Sequence, residues 1–277
     1  MPGLRFAAPV YTAAMPQIDS HPPGAFCWLE LMTSDQTAAK QFYGRLFGWE
    51  ANDSPMGPDQ TYTIFQLGGG AAGAAYTLMA DQKEQGVPPN WMLYVATESA
   101  DSSAARATEL GGAILGGPFD VADYGRMAII RDPQGAVIAL WQAKSNPGLT
   151  ITGVPGTLCW ADLSTPDQAG AKAFYSAMFG WEITPGQNDS SGYLHIKNGD
   201  AFIGGIPPSH QSNPNSPPHW LAYIAVTDCD ATANLAKDMG AQLYLPPMSI
   251  ENVGRMSIIA DPQGAVFAIF TASPRAM

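Results

Sequence analysis

The sequence predicts an α+β protein made of two similar domains in tandem, and three observations carry this. The first is a repeat. Residues 26–50, FCWLELMTSDQTAAKQFYGRLFGWE, match residues 158–182, LCWADLSTPDQAGAKAFYSAMFGWE, at 14 of 25 positions with an offset of 132. GRMAIIRDPQGAVIAL (125–140) matches GRMSIIADPQGAVFAI (254–269) at 12 of 16 positions, now with an offset of 129. A period this long is a whole domain rather than a solenoid unit, and the change of three in offset belongs to loop indels. The second is that each half alternates short strand-like apolar runs with amphipathic helical stretches. The third is size: 277 residues suit two domains, and a 46% hydrophobic content can fill two cores.

Taken in order, residues 1–23 read as an extended arm closing at Pro22-Pro23, and 24–145 as the first domain. Residues 146–155 lie in the Pro-, Gly-, Ser- and Thr-rich run KSNPGLTITGVP and read as a linker, with 156–273 as the second domain. In the first half, 25–32 has strand character. Ser34 or Asp35 caps a helix over 36–47 whose Ala39, Phe42, Tyr43, Leu46 and Phe47 form one apolar stripe, and Gly48 ends it. Strands are expected from Trp49, over 61–67 and over 72–79. The pattern restarts at 91–97, with a helix over 101–111 and strands over 113–117, 125–131 and 136–142. Asp132-Pro133-Gln134-Gly135 makes the last tight turn. The second half predicts helices over 167–179 and 230–239, strands over 193–198, 201–206 and 219–226, and the same DPQG turn at 261–264. Each half is therefore βαβββ-βαβββ.

Composition excludes several classes. A net charge of −11 opposes binding to nucleic-acid phosphates, and there is no basic patch. No apolar run reaches the length of a membrane span, and the N-terminus makes a poor signal peptide. Cys27, Cys159 and Cys229 have no CxxC spacing and read as small buried hydrophobes in a reducing, cytoplasmic setting. No GxSxG, Walker A or strand-following GxGxxG motif is present, and Gly68-Gly69-Gly70 reads as a hairpin turn.

The element order, with FY and FGW closing the first helix of each half and DPQG before each last strand, resembles the vicinal oxygen chelate superfamily. That group holds glyoxalases, bleomycin resistance proteins and extradiol dioxygenases. The two-domain form is similar to its 27-kDa-antigen-type, glyoxalase-like branch. The resemblance implies that two βαβββ modules per domain form a half-open β-barrel, whose inward residues in relatives hold a divalent metal. Carried over position by position, the metal slots fall on Trp28, Asn90 and Ala139 in the first half and on Trp160, His219 and Ala268 in the second. Trp and Ala have no donor atom for a metal and a lone imidazole holds one poorly, so neither a metal nor another cofactor is expected.

Side chains two apart on a strand share a face, so an inward Trp28 brings Glu30 inward, and Trp160 brings Asp162. Tyr94, Tyr223 and the strand residues Arg126 and Arg255 are expected beside the same barrels, with His195 lining the second together with Tyr193. Glu30–Arg126 and Asp162–Arg255 read either as internal ion pairs or as ligand contacts. The paired Trp49 and Trp181 are expected to pack, and His21 and His210 to be solvated. Candidate acid–base residues are His219, Asp162 and Glu30; candidate ligand contacts are Trp28, Tyr94, Arg126, Trp160, Tyr223, Arg255 and His195. The preferred reading is a metal-independent binder of a small molecule, monomeric as an internal pseudo-dimer. The alternatives are a lyase or oxygenase-type enzyme acting on a small carbonyl or aromatic compound, and a scaffold whose barrels are filled by its own side chains.

Overall fold

The computed structural model describes residues 17–57, 60–186, 191–209 and 216–273. The first half runs β1 (Phe26–Thr33), α1 (Gln36–Phe47), β2 (Glu50–Gly57), β3 (Gln60–Leu67), β4 (Gly70–Thr77), α2 (Ala80–Glu84), β5 (Asn90–Ala96), α3 (Ala100–Glu109), β6 (Ala113–Val121), β7 (Gly125–Arg131) and β8 (Val137–Ala143). The second half runs β9 (Leu158–Ser164), α4 (Gln168–Phe179), β10 (Glu182–Pro185), β11 (Leu194–Asn198), β12 (Ala201–Ile206), β13 (His219–Ala225), α5 (Cys229–Asp238), β14 (Gln242–Ile250), β15 (Gly254–Ala260) and β16 (Val266–Ala272). The short helix α2 is the one element of the first half that periodicity did not indicate.

Each half is one open eight-stranded sheet, ordered β2-β3-β4-β1-β5-β8-β7-β6 and β10-β11-β12-β9-β13-β16-β15-β14. In each, two four-stranded modules join through an antiparallel pair, β1 with β5 and β9 with β13. The first strand of each module pairs in parallel with its last, as in β1–β4 and β5–β8, which requires the intervening helix as a crossover. Helix boundaries follow local chemistry. Asp35 accepts the Ala38 N–H and Asp167 the Gly170 N–H, while Gly48 and Gly180 close α1 and α4 in the left-handed region at φ 74° and 71°. Gly68 and Gly69, both at positive φ, form the turn between β3 and β4.

Helices α1, α3, α4 and α5 cover one face of each sheet, and these two faces meet. The meeting is reciprocal. The Tyr43 hydroxyl donates to Asp261 Oδ2 at 2.8 Å, and the Tyr175 hydroxyl donates to Asp132 Oδ2 at 3.0 Å. Trp49 Nε1–H donates to the Gly156 carbonyl and Trp181 Nε1–H to the Gly24 carbonyl. Trp91 and Trp220 each donate to the tyrosine of their own half, Tyr43 and Tyr175. FY, FGW and DPQG therefore recur because they build a two-fold-like seam. The DPQG aspartate holds its own turn with Oδ1 and the opposite half with Oδ2. Trp49 and Trp181 are packed as expected and in addition tie the halves together.

The linker is part of the core rather than a tether. Leu149 and Ile151 are buried, and Leu149 N–H donates to the Cys27 carbonyl. Gly148 passes so close to that carbonyl that a Cβ could not be placed there. His21 is not solvated as expected. It is half-buried, its Nε2 lies 2.7 Å from the Leu149 carbonyl, and burial lowers its pKa. His210 and residues 1–16 of the arm lie outside the described residues.

Candidate functional site

Strand register fixes which residues share the inner face of each sheet, the face away from α1, α3, α4 and α5. Directly paired residues point the same way, so Trp28, Tyr94, Ala139 and Ile129 form one row across β1, β5, β8 and β7. Glu30, Ala74 and Ile64 form the adjoining row across β1, β4 and β3. In the second half, Trp160, Tyr223, Ala268 and Ile258 make the first row, and Asp162, Gly205 and His195 the second. The slots Trp28, Ala139, Trp160 and Ala268 thus lie on the inner faces, as the resemblance implied.

Each inner face carries one carboxyl held by two phenols and an indole. Glu30 Oε1 accepts from Tyr62 and Oε2 from Tyr94, both at 2.6 Å, while Trp28 Nε1–H donates to the Tyr62 hydroxyl at 3.0 Å. Asp162 Oδ1 accepts from Tyr193 at 2.5 Å and from Trp160 Nε1–H at 3.0 Å, and Oδ2 accepts from Tyr223 at 2.8 Å. Burial pushes both carboxyl pKa values up, partly opposed by these donors. Burial, reinforced by the neighbouring carboxyl, raises the pKa values of Tyr62, Tyr94, Tyr193 and Tyr223, so the phenols remain O–H donors. Tyr62 was missed from the sequence; its alignment with Tyr193, already named for the second barrel, was the signal that could have found it.

The arginines are corrected. Arg126 and Arg255 face the helices, because Met127 and Met256 beside them face inward and side chains alternate along a strand. Arg126 forms a two-pronged pair with Asp101 at the start of α3, and Arg255 does the same with Asp230 on α5. Neither meets Glu30 or Asp162, so the expected internal ion pairs do not form, and both arginines lie on the helix side of their sheets.

The two histidines sit in different surroundings. His219 stands opposite Ser164 at the end of β13, two residues from Leu221, the partner of Asp162. That is about 7 Å along the strand, and its Nδ1 lies 2.8 Å from the Pro217 carbonyl, so it is a rim residue tied to its own loop. His195 lies in the Asp162 row, with its ring 5.0 Å from Tyr193, 6.4 Å from Trp160 and 5.7 Å from Phe202. Its Nδ1 is buried without a hydrogen-bond partner. A buried polar atom left unpaired in the protein is a place where a ligand atom can bind.

The donor set does not fit a metal. Asn90 Nδ2–H donates to the Pro88 carbonyl, and the Trp and Ala slots supply no ligand atom. Among the described residues no group of three or more His, Cys, Asp or Glu is placed to hold a metal ion. The cysteines are buried or half-buried: Cys27 and Cys159 each donate to the backbone carbonyl of an inner-face tyrosine, Tyr94 and Tyr223, and burial raises the Cys159 pKa to about 12. A surface groove of about 490 Å3 between the arm, the linker and the ends of β5 and β8 meets the end of the first inner face at Ala96, Trp141 and Ala143.

Residues 26–140 and 157–269 match the sequence pattern described as Glyoxalase/Bleomycin resistance protein/Dioxygenase superfamily. The chain is 39% identical over 269 residues to "Putative glyoxylase CFP32" of Mycobacterium tuberculosis, covering 94% of this chain and 100% of that protein. It is 33% identical over 261 residues to "Anthracycline biosynthesis protein DnrV" of Streptomyces peucetius, covering 89% and 93%. In three dimensions it is similar to the Mn(II)-bound glyoxalase from Novosphingobium aromaticivorans, with a TM-score of 0.62, 16% identity, and 90% and 82% of the two chains covered. It is also similar to the 2,3-dioxygenase LapB of Pseudomonas sp. KL28, with a TM-score of 0.61, 12% identity and 94% of each chain covered. At these identities the solved structures speak to the fold alone.

Proposed function

The chain belongs to the Glyoxalase/Bleomycin resistance protein/Dioxygenase superfamily, and from that premise we propose that it binds a small molecule in its second barrel without a protein-bound metal. One observation carries the reading: His195 Nδ1 is buried and unpartnered in the row that also holds Asp162. The ligand presents a hydroxyl or carbonyl to His195 Nδ1 in this corner, where the Tyr193 and Tyr223 hydrogens are held by Asp162, the phenol oxygens serve as acceptors and Trp160 supplies an aromatic wall. The first barrel has no such vacancy: Glu30 and Asp162 are alike satisfied on both oxygens, but Ile64 stands where the second barrel has His195 and offers no polar atom. The relatives' names, from glyoxylase and anthracycline chemistry, fit a carbonyl- or phenol-bearing compound.

Calorimetry with a panel of simple phenols and aromatic ketones, with and without a chelator, tests this. Binding should be indifferent to the chelator, lost in Asp162→Asn and kept in Glu30→Gln. The opposite pattern between the two variants moves the site to the first barrel, and chelator-sensitive binding removes metal independence.

A second reading, an enzyme of lyase or oxygenase type, is favoured by the same imidazole. An unpartnered nitrogen beside a carboxyl can accept a proton from a bound substrate. Turnover of a small carbonyl or aromatic substrate that disappears in His195→Gln, with binding intact, would support it.

A further inference from the structure

The second inner face also shows what the rest of the ligand must be. Its polar groups are gathered at one end, on β9, β11 and β13. Beyond them the face is apolar strand after strand. Tyr223 leads to Ala268 and Phe270 on β16, then to Ile258 and Met256 on β15, then to Leu245 and Met248 on β14. Leu221, Tyr223, Met256 and Ala268 form a buried cluster separate from the main core, and Trp160, Leu245, Ile258 and Phe270 pack on it while remaining partly open. At the far edge Met248 is 43% exposed. From Asp162 on β9 to Met248 on β14 the sheet takes four strand steps, about 19 Å along its surface. A two- or three-carbon dicarbonyl or a single ring reaches only the polar end of that path.

Resting on the binding role proposed above, we infer that the second barrel recognises a flat, extended aromatic ligand of two or more fused rings with one polar end. The polar end lies at Asp162, Tyr193 and His195. The ring body lies along Phe270, Ile258 and Met256 towards Met248. Methionine suits the outer part, because its flexible thioether adapts to an aromatic edge. The first barrel has a similar outer end, with Ile129 half-buried and Phe119, opposite Met127, 46% exposed, but its middle is closed: Trp28 and Trp141 are buried within the main core where Trp160 and Phe270 stay partly open.

Phenol, 2-naphthol, 2-hydroxyfluorene and hydroxyl-free fluorene serve as probes, read by tryptophan fluorescence and calorimetry on the full chain. Affinity should rise at least tenfold from phenol to 2-hydroxyfluorene, and fluorene should bind more weakly than its hydroxylated form. Met248→Glu, at a 43% exposed position that should leave folding intact, should weaken 2-hydroxyfluorene at least tenfold more than it weakens phenol. Tyr193→Phe should weaken every hydroxylated probe, with circular dichroism confirming that both variants fold. Binding that depends on Tyr193 yet ignores ring number or Met248 overturns this inference alone. Failure of every probe to bind, or binding indifferent to Tyr193→Phe, overturns the parent reading and this one with it.

Discussion

The two inner faces are built from matching residues and differ in how tightly they are closed. Trp28 and Trp160, Glu30 and Asp162, Tyr62 and Tyr193, and Tyr94 and Tyr223 form the same carboxyl–phenol–indole cluster twice. In the first barrel Trp28 is 5% exposed and belongs to the main core, and Tyr76, tied to Gln82 of α2, closes the same face. In the second, Trp160 is half-buried and sits in a detached cluster. Register shows which exchanges loosen it. Ile64 becomes His195, Ala74 becomes Gly205, and Tyr76, two residues on, becomes Pro207. Each exchange removes apolar bulk or adds an unsatisfied polar atom. Duplication of a satisfied polar cluster therefore preserved the scaffold, and a few small changes around one copy left it less tightly closed.

The largest expected effect separates the two faces directly. Trp28→Ala opens a cavity in the main core and should cost about 3–5 kcal/mol. Trp160→Ala, half-buried and at the edge of a smaller cluster, should cost clearly less, about 1–2 kcal/mol, while removing ligand binding. Chemical denaturation of both variants checks this. Equal costs would mean that the second face is as closed as the first.

The seam is the control for that contrast, because there the halves are equivalent. Tyr43→Phe leaves Asp261 Oδ2 and the Trp91 N–H without their buried partner, and Tyr175→Phe does the same to Asp132 and Trp220. Each should cost about 1–3 kcal/mol, and the two values should agree closely. A marked inequality in denaturation would show that the halves differ at their interface as well as at their inner faces.

How much of this could be read beforehand depended on whether the information was local. Period-2 and period-3.6 patterns gave most elements, and the repeat gave the domain pair, because both are written in neighbouring residues. The alternation that put Glu30 beside Trp28 also predicted that Met127 and Arg126 point opposite ways, yet the arginines were assigned to the barrels by proximity alone. The partners of Tyr43 and Asp132 lie in the other half, far along the chain, and nothing local marks them. His195 was identifiable as a lining residue, but its unpaired nitrogen depends on its being enclosed by Tyr193, Trp160 and Phe202, which only the folded arrangement supplies.

A third test concerns the space at Gly205. The Tyr193 ring crosses this residue so closely that a Cβ there would collide with its hydroxyl. Gly205→Ala should push Tyr193 off Asp162 at a cost of about 1–2 kcal/mol and weaken binding of hydroxylated probes, whereas the first barrel already carries Ala74 at the matching position. Unchanged binding in Gly205→Ala would mean that Tyr193 is not part of the polar corner.

The smallest effect is the pH dependence of stability. Burial raises the pKa values of Glu30 and Asp162 in the folded chain. A carboxyl with a raised folded pKa stabilises most below its unfolded value, about 4, and that contribution is lost as pH rises through the folded value. Glu30→Gln and Asp162→Asn stay neutral and cannot lose it. The stability advantage of the parent chain over each variant should therefore shrink as pH rises from about 4 through the folded carboxyl's raised value. The shrinkage should be similar for the two, because Glu30 and Asp162 are equally buried at 8% exposure. Melting temperatures of the three proteins across that range decide it: an advantage that grows with rising pH would mean that the carboxyls are charged in the folded chain.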